Sequence, residues 1–183
     1  MTLREYLAGE ETVRPQELAY GSLREPSAPG YGHQVIVGQI YKLLDRHVQR
    51  FDAGRVVIAP VDVVLDRSRA LVVQPDVVFV SRERLGICDQ RIWGAPDLVA
   101  EVLSSARRRH DRTVKVEWFR RYGVRECWLA DPVSREVEVL DLTAAGDASR
   151  IFQCGQLVRS AVLPHLRLRV ESVFVYEDRL SED

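Results

Sequence analysis

Two carboxylates sit where buried strands ordinarily carry none. In Pro75-Asp76-Val77-Val78-Phe79-Val80 an acid heads an apolar run, and in Asp97-Leu98-Val99-Ala100-Glu101-Val102-Leu103 another falls in mid-strand. Alternation puts Asp97, Val99, Glu101 and Leu103 on one face of that strand and Leu98, Ala100 and Val102 on the other, so Glu101 has apolar company. An unpaired charge inside a fold costs several kcal/mol, so such positions exist for chemistry or for a specific pairing. A helix follows. At about 100° per residue, Val114, Trp118, Phe119 and Tyr122 define its buried side, and Asp111 and Lys115 fall within that arc. On an open surface these two would be an i, i+4 pair worth roughly 0.2–0.5 kcal/mol. An arc that faces the sheet instead directs the lysine at the strand carboxylates.

Two strand acids and an inward lysine have a plain chemical meaning. A few hard oxygen ligands leave positions open on Mg²⁺ or Mn²⁺ for water and for phosphate oxygens. Such an ion lowers the pKa of a bound water and polarises the scissile phosphate, while the lysine orients that water or stabilises the developing negative charge. Phosphodiester hydrolysis is the reaction these parts fit, with Asp76, Glu101 and Lys115 as its catalytic residues. Each acid also has a structural reading: Asp76 as half of a Pro-Asp turn, Glu101 as the partner of an arginine. Asp97 follows a proline as Asp76 does, but stands at a strand entrance and reads as structural. Asp62, which interrupts VVIAPVDVVL, is either a further site acid or a strand-end polar residue.

The elements that must position these groups follow from periodicity and punctuation. A short N-terminal helix and a strand or hairpin near Glu17 to Leu23 precede a helix from His33 to Phe51, where Val37, Ile40, Tyr41, Leu44 and Val48 recur at helical spacing. Arg55 to Leu65 and Leu71 to Val80 read as two strands joined by a polar turn, the second apolar enough to be central. After a connecting loop from Gly86 to Pro96 come the strand Asp97 to Leu103 and a helix from Asp111 to Tyr122, closed by Gly123. Strands at Glu126 to Ala130 and Glu136 to Leu142, then shorter ones, complete a mixed sheet with a helix on each side, an α/β or α+β architecture.

Bulk properties narrow the partners. A chain of 183 residues, 46% hydrophobic and 29% charged, is expected to form one domain over 1–183. The opening MTLREYLAGE carries acids where a signal peptide needs an apolar core, and VVIAPVDVVL is too short and too interrupted to span a bilayer. The cytoplasm is the expected location, with no membrane partner. Cys88, Cys127 and Cys154 show neither CxxC nor zinc-ligand spacing and are expected to be packing residues. A net charge of -1 gives no global attraction to nucleic acid. Positive charge is concentrated locally in Arg107, Arg108, Arg109, Arg112, Lys115, Arg120, Arg121 and Arg125, most of which a solvated helix face would explain.

In order, the chain carries Glu17-Leu18 with Gly21, His33, Pro75-Asp76-Val77, Pro96-Asp97-Leu98-Val99, Glu101-Val102-Leu103-Ser104, Asp111 with Lys115, Gly123-Val124, Glu126, Trp128-Leu129 and Asp131-Pro132. This set resembles the PD-(D/E)XK nuclease superfamily and, more closely, its bacterial Uma-type restriction-endonuclease family of unknown function. The likeness runs from about Glu17 to the C-terminal strands, and its specificity lies in the combination. It implies a restriction-endonuclease-like core of helix, three-stranded meander, helix and strand, with extra N- and C-terminal strands. It also implies a metal held by Asp76, Glu101 and the carbonyl of Val102, auxiliary roles for Glu17 and His33, and nucleic acid as partner, DNA ahead of RNA. Two positions depart from the pattern. Leu103 stands where the superfamily has its lysine, which in this family comes from the following helix and points to Lys115. Phe119 stands where a tyrosine is usual. A homodimer would let a compact nuclease reach both strands of a duplex. A function of another class, an inactive nuclease-fold module that binds nucleic acid or a protein partner, is suggested by Phe119 and by the near-neutral charge.

Overall fold

Among the described residues, three α-helices and thirteen strands follow from where the apolar periodicity runs and where proline and glycine interrupt it. The computed structural model describes residues 1–9, 14–103, 110–144 and 148–175. In chain order the helices are α1 (Leu3–Leu7), α2 (Tyr31–Phe51) and α3 (His110–Tyr122). The strands are β1 (Glu17–Ala19), β2 (Ser22–Arg24), β3 (Gly54–Ile58), β4 (Val63–Asp66), β5 (Leu71–Val73), β6 (Val77–Ser81), β7 (Ile92–Trp93), β8 (Leu98–Val102), β9 (Glu126–Asp131), β10 (Glu136–Asp141), β11 (Ala148–Phe152), β12 (Leu157–Val158) and β13 (Leu168–Arg169). Of the arginines grouped in the sequence, Arg107, Arg108 and Arg109 lie outside the described residues, as does Ser104.

The two long β-branched runs are each broken in two, which corrects the sequence reading. β3 and β6 belong to a six-stranded sheet of order β11-β10-β9-β8-β6-β3, whereas β4 and β5 belong to a five-stranded sheet of order β2-β1-β5-β4-β7. Pro60 and Pro75 fall at the two breaks. A proline has no N–H to give to a ladder, so the chain leaves one sheet there and joins the other. The interval from Gly86 to Pro96, expected as a loop, also carries structure: the end of a 3-10 turn, Arg82–Ile87, and β7, which runs parallel to β4. Set aside the inserted β4 and β5, and the expected meander remains as β3-β6-β8, antiparallel throughout.

β8 and β9 are parallel, so the chain between them must cross over a face of the sheet, and α3 makes that crossing. Its buried Trp118 and Phe119 pack with Val78, Val80, Val99, Cys127 and Leu129 of the six-stranded sheet and with Val63, Leu71, Val73 and Ile92 of the other. On the opposite face, Ile36, Val37, Ile40, Leu44 and Val48 of α2 cover Val77, Phe79, Leu98, Ala100 and Trp128. α2 ends where Asp52 turns left-handed, with φ 51°. At the start of β3, a Cβ on Gly54 would run into the Val80 carbonyl, so only glycine allows that approach. Cys127 is buried as expected, but Cys88 and Cys154 are exposed and pack no core. Among the described residues, no helix is long and apolar enough to cross a membrane.

Candidate active site

The break before β6 creates the first piece of the site. The β6–β8 ladder ends at the pair Val77–Ala100, because the position opposite Val102 is Pro75. Val102 therefore has an N–H without a strand partner, and the carboxylate of Asp76 takes it at 2.7 Å through Oδ2. The Val102 carbonyl points to the same edge, since the N–H and C=O of one strand residue face the same neighbour. The other oxygen, Oδ1, lies 3.2 Å from Nε2 of His33, in the first turn of α2. One proline thus fixes the acid, and one strand end gives it a donor.

Glu101 and Glu17 meet at Lys115. Strand alternation turns Glu101 toward α3, where the lysine Nζ lies 3.1 Å from Glu101 Oε1 and 2.8 Å from Glu17 Oε1. Glu17 is held in turn by the backbone N–H of Gln74, at 3.2 Å. The structure thus brings together Asp76, Glu101, Lys115, Glu17 and His33, from five separate elements or their edges. Side-chain exposures of 16% for Glu101 and 22% for Lys115 leave the cluster half-buried and reachable from one side.

Carboxylates outnumber cations here: Glu101 and Glu17 share Lys115, and Asp76 acts on Glu101 as a further acid. Burial pushes the Glu101 carboxyl up to about 8; Lys115 pulls it down, while Asp76 and Glu17 add to the rise. Burial acts to lower Lys115, but Glu101 and Glu17 outweigh it and hold the amine charged, well above its ordinary value. The two shifts are compatible because Lys115 shares its charge between two acids, leaving Glu101 only partly neutralised. His33 follows the same pattern: burial lowers it, and the hydrogen bond and charge of Asp76, with Glu101 behind, raise it overall.

Among the described residues, no group of three His, Cys, Asp or Glu side chains is arranged to hold an ion. The donors that do converge are hard oxygens with surplus negative charge, Asp76 and Glu101, beside an edge carbonyl. That set fits a Mg²⁺-class ion, which takes one or two carboxylates from protein and fills its remaining positions with water and phosphate oxygens.

Asp62 stands one step behind. It accepts from Tyr6 Oη at 3.0 Å, Gln74 Nε2 at 2.9 Å and Arg91 Nε at 3.2 Å, and so it reaches the cluster through Gln74. Gln74 was not singled out by sequence, although a glutamine between LVV and Pro75 is a polar residue in an apolar run. Asp97 is separate from the site: Ser81 N–H (2.8 Å), Arg84 (3.0 Å) and Arg125 (3.3 Å) surround its carboxylate. Burial opposes its ionisation, but these donors win and hold it below the usual carboxylate range. Phe119 is fully buried in the core, so its ring faces apolar neighbours.

The fold has known counterparts. A crystal structure from Anabaena variabilis ATCC 29413, described as a putative nuclease belonging to DUF820, superposes with a TM-score of 0.82, covering 96% of this chain and 98% of that one. At 20% identity the likeness is one of fold. No curated protein matches the chain significantly. The family model described as "Uma2: Putative restriction endonuclease" matches residues 3–171, nearly the whole chain, and the chain belongs to that family.

Proposed function

We propose that the chain is a metal-dependent, endonuclease-like hydrolase of nucleic-acid phosphodiester bonds, with DNA as the first substrate to test. The observation that carries this reading is the placement of Lys115 between Glu101 and Glu17, with Asp76 accepting the Val102 N–H that has no strand partner. Family membership supports the reaction class. Asp76, Glu101 and the Val102 carbonyl would hold Mg²⁺ or Mn²⁺, which supplies an acidified water and charge neutralisation at the phosphate.

The residues of the chain have separable roles. Lys115 is held charged by two acids, so it is a hydrogen-bond donor and not a base. It orients the attacking water and offsets negative charge on the phosphate as that charge develops. Glu17 and the Gln74 N–H fix the lysine in place, and His33 braces the second oxygen of Asp76. Asp62, Tyr6 and Arg91 act at a distance by orienting Gln74.

Purified protein incubated with single- and double-stranded DNA and RNA, with Mg²⁺ or Mn²⁺, tests the proposal. Cleavage by the wild type and none by Asp76→Ala is the expected result; equal cleavage by both would sink the assignment. Nicks without double-strand breaks at low protein concentration, converting to breaks as it rises, would reveal action as a homodimer.

A further inference from the structure

Three exposed arginines sit over aromatic rings along one side of the molecule. The Cζ of Arg24 is 5.4 Å from the ring centre of Trp118, that of Arg69 is 4.8 Å from Tyr20, and that of Arg67 is 4.1 Å from Trp93. Tyr20 meets Trp118 edge-on, with ring centres 5.8 Å apart. Arg24, Trp118, Tyr20 and Arg69 therefore form a continuous row, and Arg67, in the same turn as Arg69, extends it to Trp93. The row begins at the candidate active site. Arg24 is the cross-strand partner of Glu17 and shares its face, and Trp118 is one helical turn beyond Lys115. It ends in a groove of about 850 Å³ between α1 and the β4–β5 turn, where Arg4 adds a further positive charge.

These arginines have charge to spare. Among the described residues, none of the three forms an ion pair, and the oxygens of the nearby acids turn to other donors. Asp66 accepts from the N–H groups of Ser68 and Arg69 and from the Ser68 hydroxyl, Glu25 accepts from Gln16, and Glu5 caps α1. A guanidinium held over a ring face is attracted by the ring and still has N–H groups to offer a phosphate, with which arginine can pair bidentately. Rings already covered by arginine are closed to bases, so the row suits a backbone and not a base sequence. With an overall charge of -1, any hold on a polyanion must come from such a local array.

We infer that this row and groove bind the sugar-phosphate backbone of a nucleic-acid strand that leads into the active site; the inference rests on the reading of that site as a phosphodiesterase. The test is fluorescence anisotropy with end-labelled DNA and RNA, single-stranded and duplex, without divalent ions and over a range of salt. It compares the wild type, the triple variant Arg24→Ala/Arg67→Ala/Arg69→Ala, and a control, Arg150→Ala/Arg167→Ala, altered at exposed arginines of the C-terminal region. The triple variant is expected to bind at least about tenfold more weakly, with a salt slope shallower by roughly two for single strands and three for duplexes. The control should match the wild type.

An unchanged slope and affinity in the triple variant overturns the inference, as does wild-type binding to polyglutamate as tight as to nucleic acid. Should thermal melting show the alanine variant unfolded, the triple lysine variant takes its place. It keeps the charge and loses the guanidinium fork, so weaker binding at a preserved slope supports the surface and equal binding overturns it. Cleavage separates the two readings. A wild type that cuts nothing, yet loses binding when the arginines go, overturns the phosphodiesterase and leaves the surface. A wild type that cuts, matched by a triple variant with the same KM and kcat, does the reverse.

Discussion

Asp97 and Glu101 lie four residues apart, at the entrance and in the middle of β8, and project toward the same face of the sheet. Both are acids in apolar surroundings, yet they have opposite electrostatic characters. Asp97 is surrounded by an amide and two guanidinium groups, and its pKa is held down despite burial. Glu101 has one cation, already shared with Glu17, and its pKa is pushed up to about 8. Glu126, also buried, resembles Asp97: its oxygens accept from the Trp128 indole, the Ser160 hydroxyl and the Ala161 N–H. The difference teaches what separates a structural acid from one kept for chemistry. Asp97 and Glu126 have their donors supplied by the fold, whereas Glu101, on the proposed reading, is left short of positive charge that a ligand can provide.

The strongest way to break that contrast is to neutralise Glu101. Glu101→Gln is expected to cut phosphodiester cleavage by about a thousandfold, roughly 4 kcal/mol of transition-state stabilisation, while leaving the melting temperature equal or higher. Kinetics together with calorimetry on the same preparation checks both halves. A large loss of stability would place Glu101 with Asp97 among the structural acids.

The reciprocal experiment is Asp97→Ala, which leaves the Ser81 N–H and two arginines without their acceptor. It should destabilise the fold by about 3 kcal/mol, read from denaturant unfolding, and leave kcat within severalfold of the wild type under folding conditions. A kcat loss as large as that of Glu101→Gln would erase the distinction.

How much of this was legible beforehand depends on whether the cause was local. The helices, the demotion of Asp97 and the inward aim of Lys115 follow from periodicity along one element, and each agrees with the observed geometry. The division into two sheets does not. Arg55 to Leu65 and Leu71 to Val80 are β-branched on both sides of their prolines, so pattern alone reads each as one strand. Only the competition between partners decides that β4 and β5 pair with β1 and not with β6. The same long-range pairing places Glu17 against Lys115, so its contact was invisible without the likeness to a known family. Gln74 was missed because it meets Glu17 through its backbone N–H, which no side-chain pattern reports. Phe119 could be located on the helix, but its complete burial depends on the second sheet.

Lys115 is the hinge of the comparison, and removing it should move Glu101 further from Asp97. Lys115→Met leaves Glu17 and Glu101 side by side with no cation between them. The metal-free variant should lose about 2 kcal/mol at pH 8, a figure reduced from that of a fully buried pair because the lysine is partly exposed. The loss should shrink at pH 5, where Glu101 can take up a proton. Unfolding curves at the two pH values test this, and an equal loss at both would show that the lysine stabilises by packing alone.

The pH dependence is the most specific test, because pH acts on the two acids in opposite directions. The Asp97 pKa is lowered in the fold, so its contribution to stability is present above the ordinary 3.8 and is lost as pH falls through the depressed value. The Glu101 pKa is raised from 4.5 to about 8, so its contribution is full below 4.5 and is lost as pH rises through 8. His33, also raised, acts in the same direction as Glu101. Metal-free protein should therefore lose stability between about pH 5 and 8, by at most about 1.4 kcal/mol per unit from Glu101, and Glu101→Gln should flatten most of that decline. An ion held by Glu101 must displace the same proton. Affinity for Mg²⁺ or Mn²⁺ should then rise by up to tenfold per pH unit and level off above about 8, with close to one proton released per ion at neutral pH. Titration calorimetry in buffers of different ionisation enthalpy counts that proton. If it is absent, or persists in Glu101→Gln, the unfilled carboxylate is not the one that meets the ion.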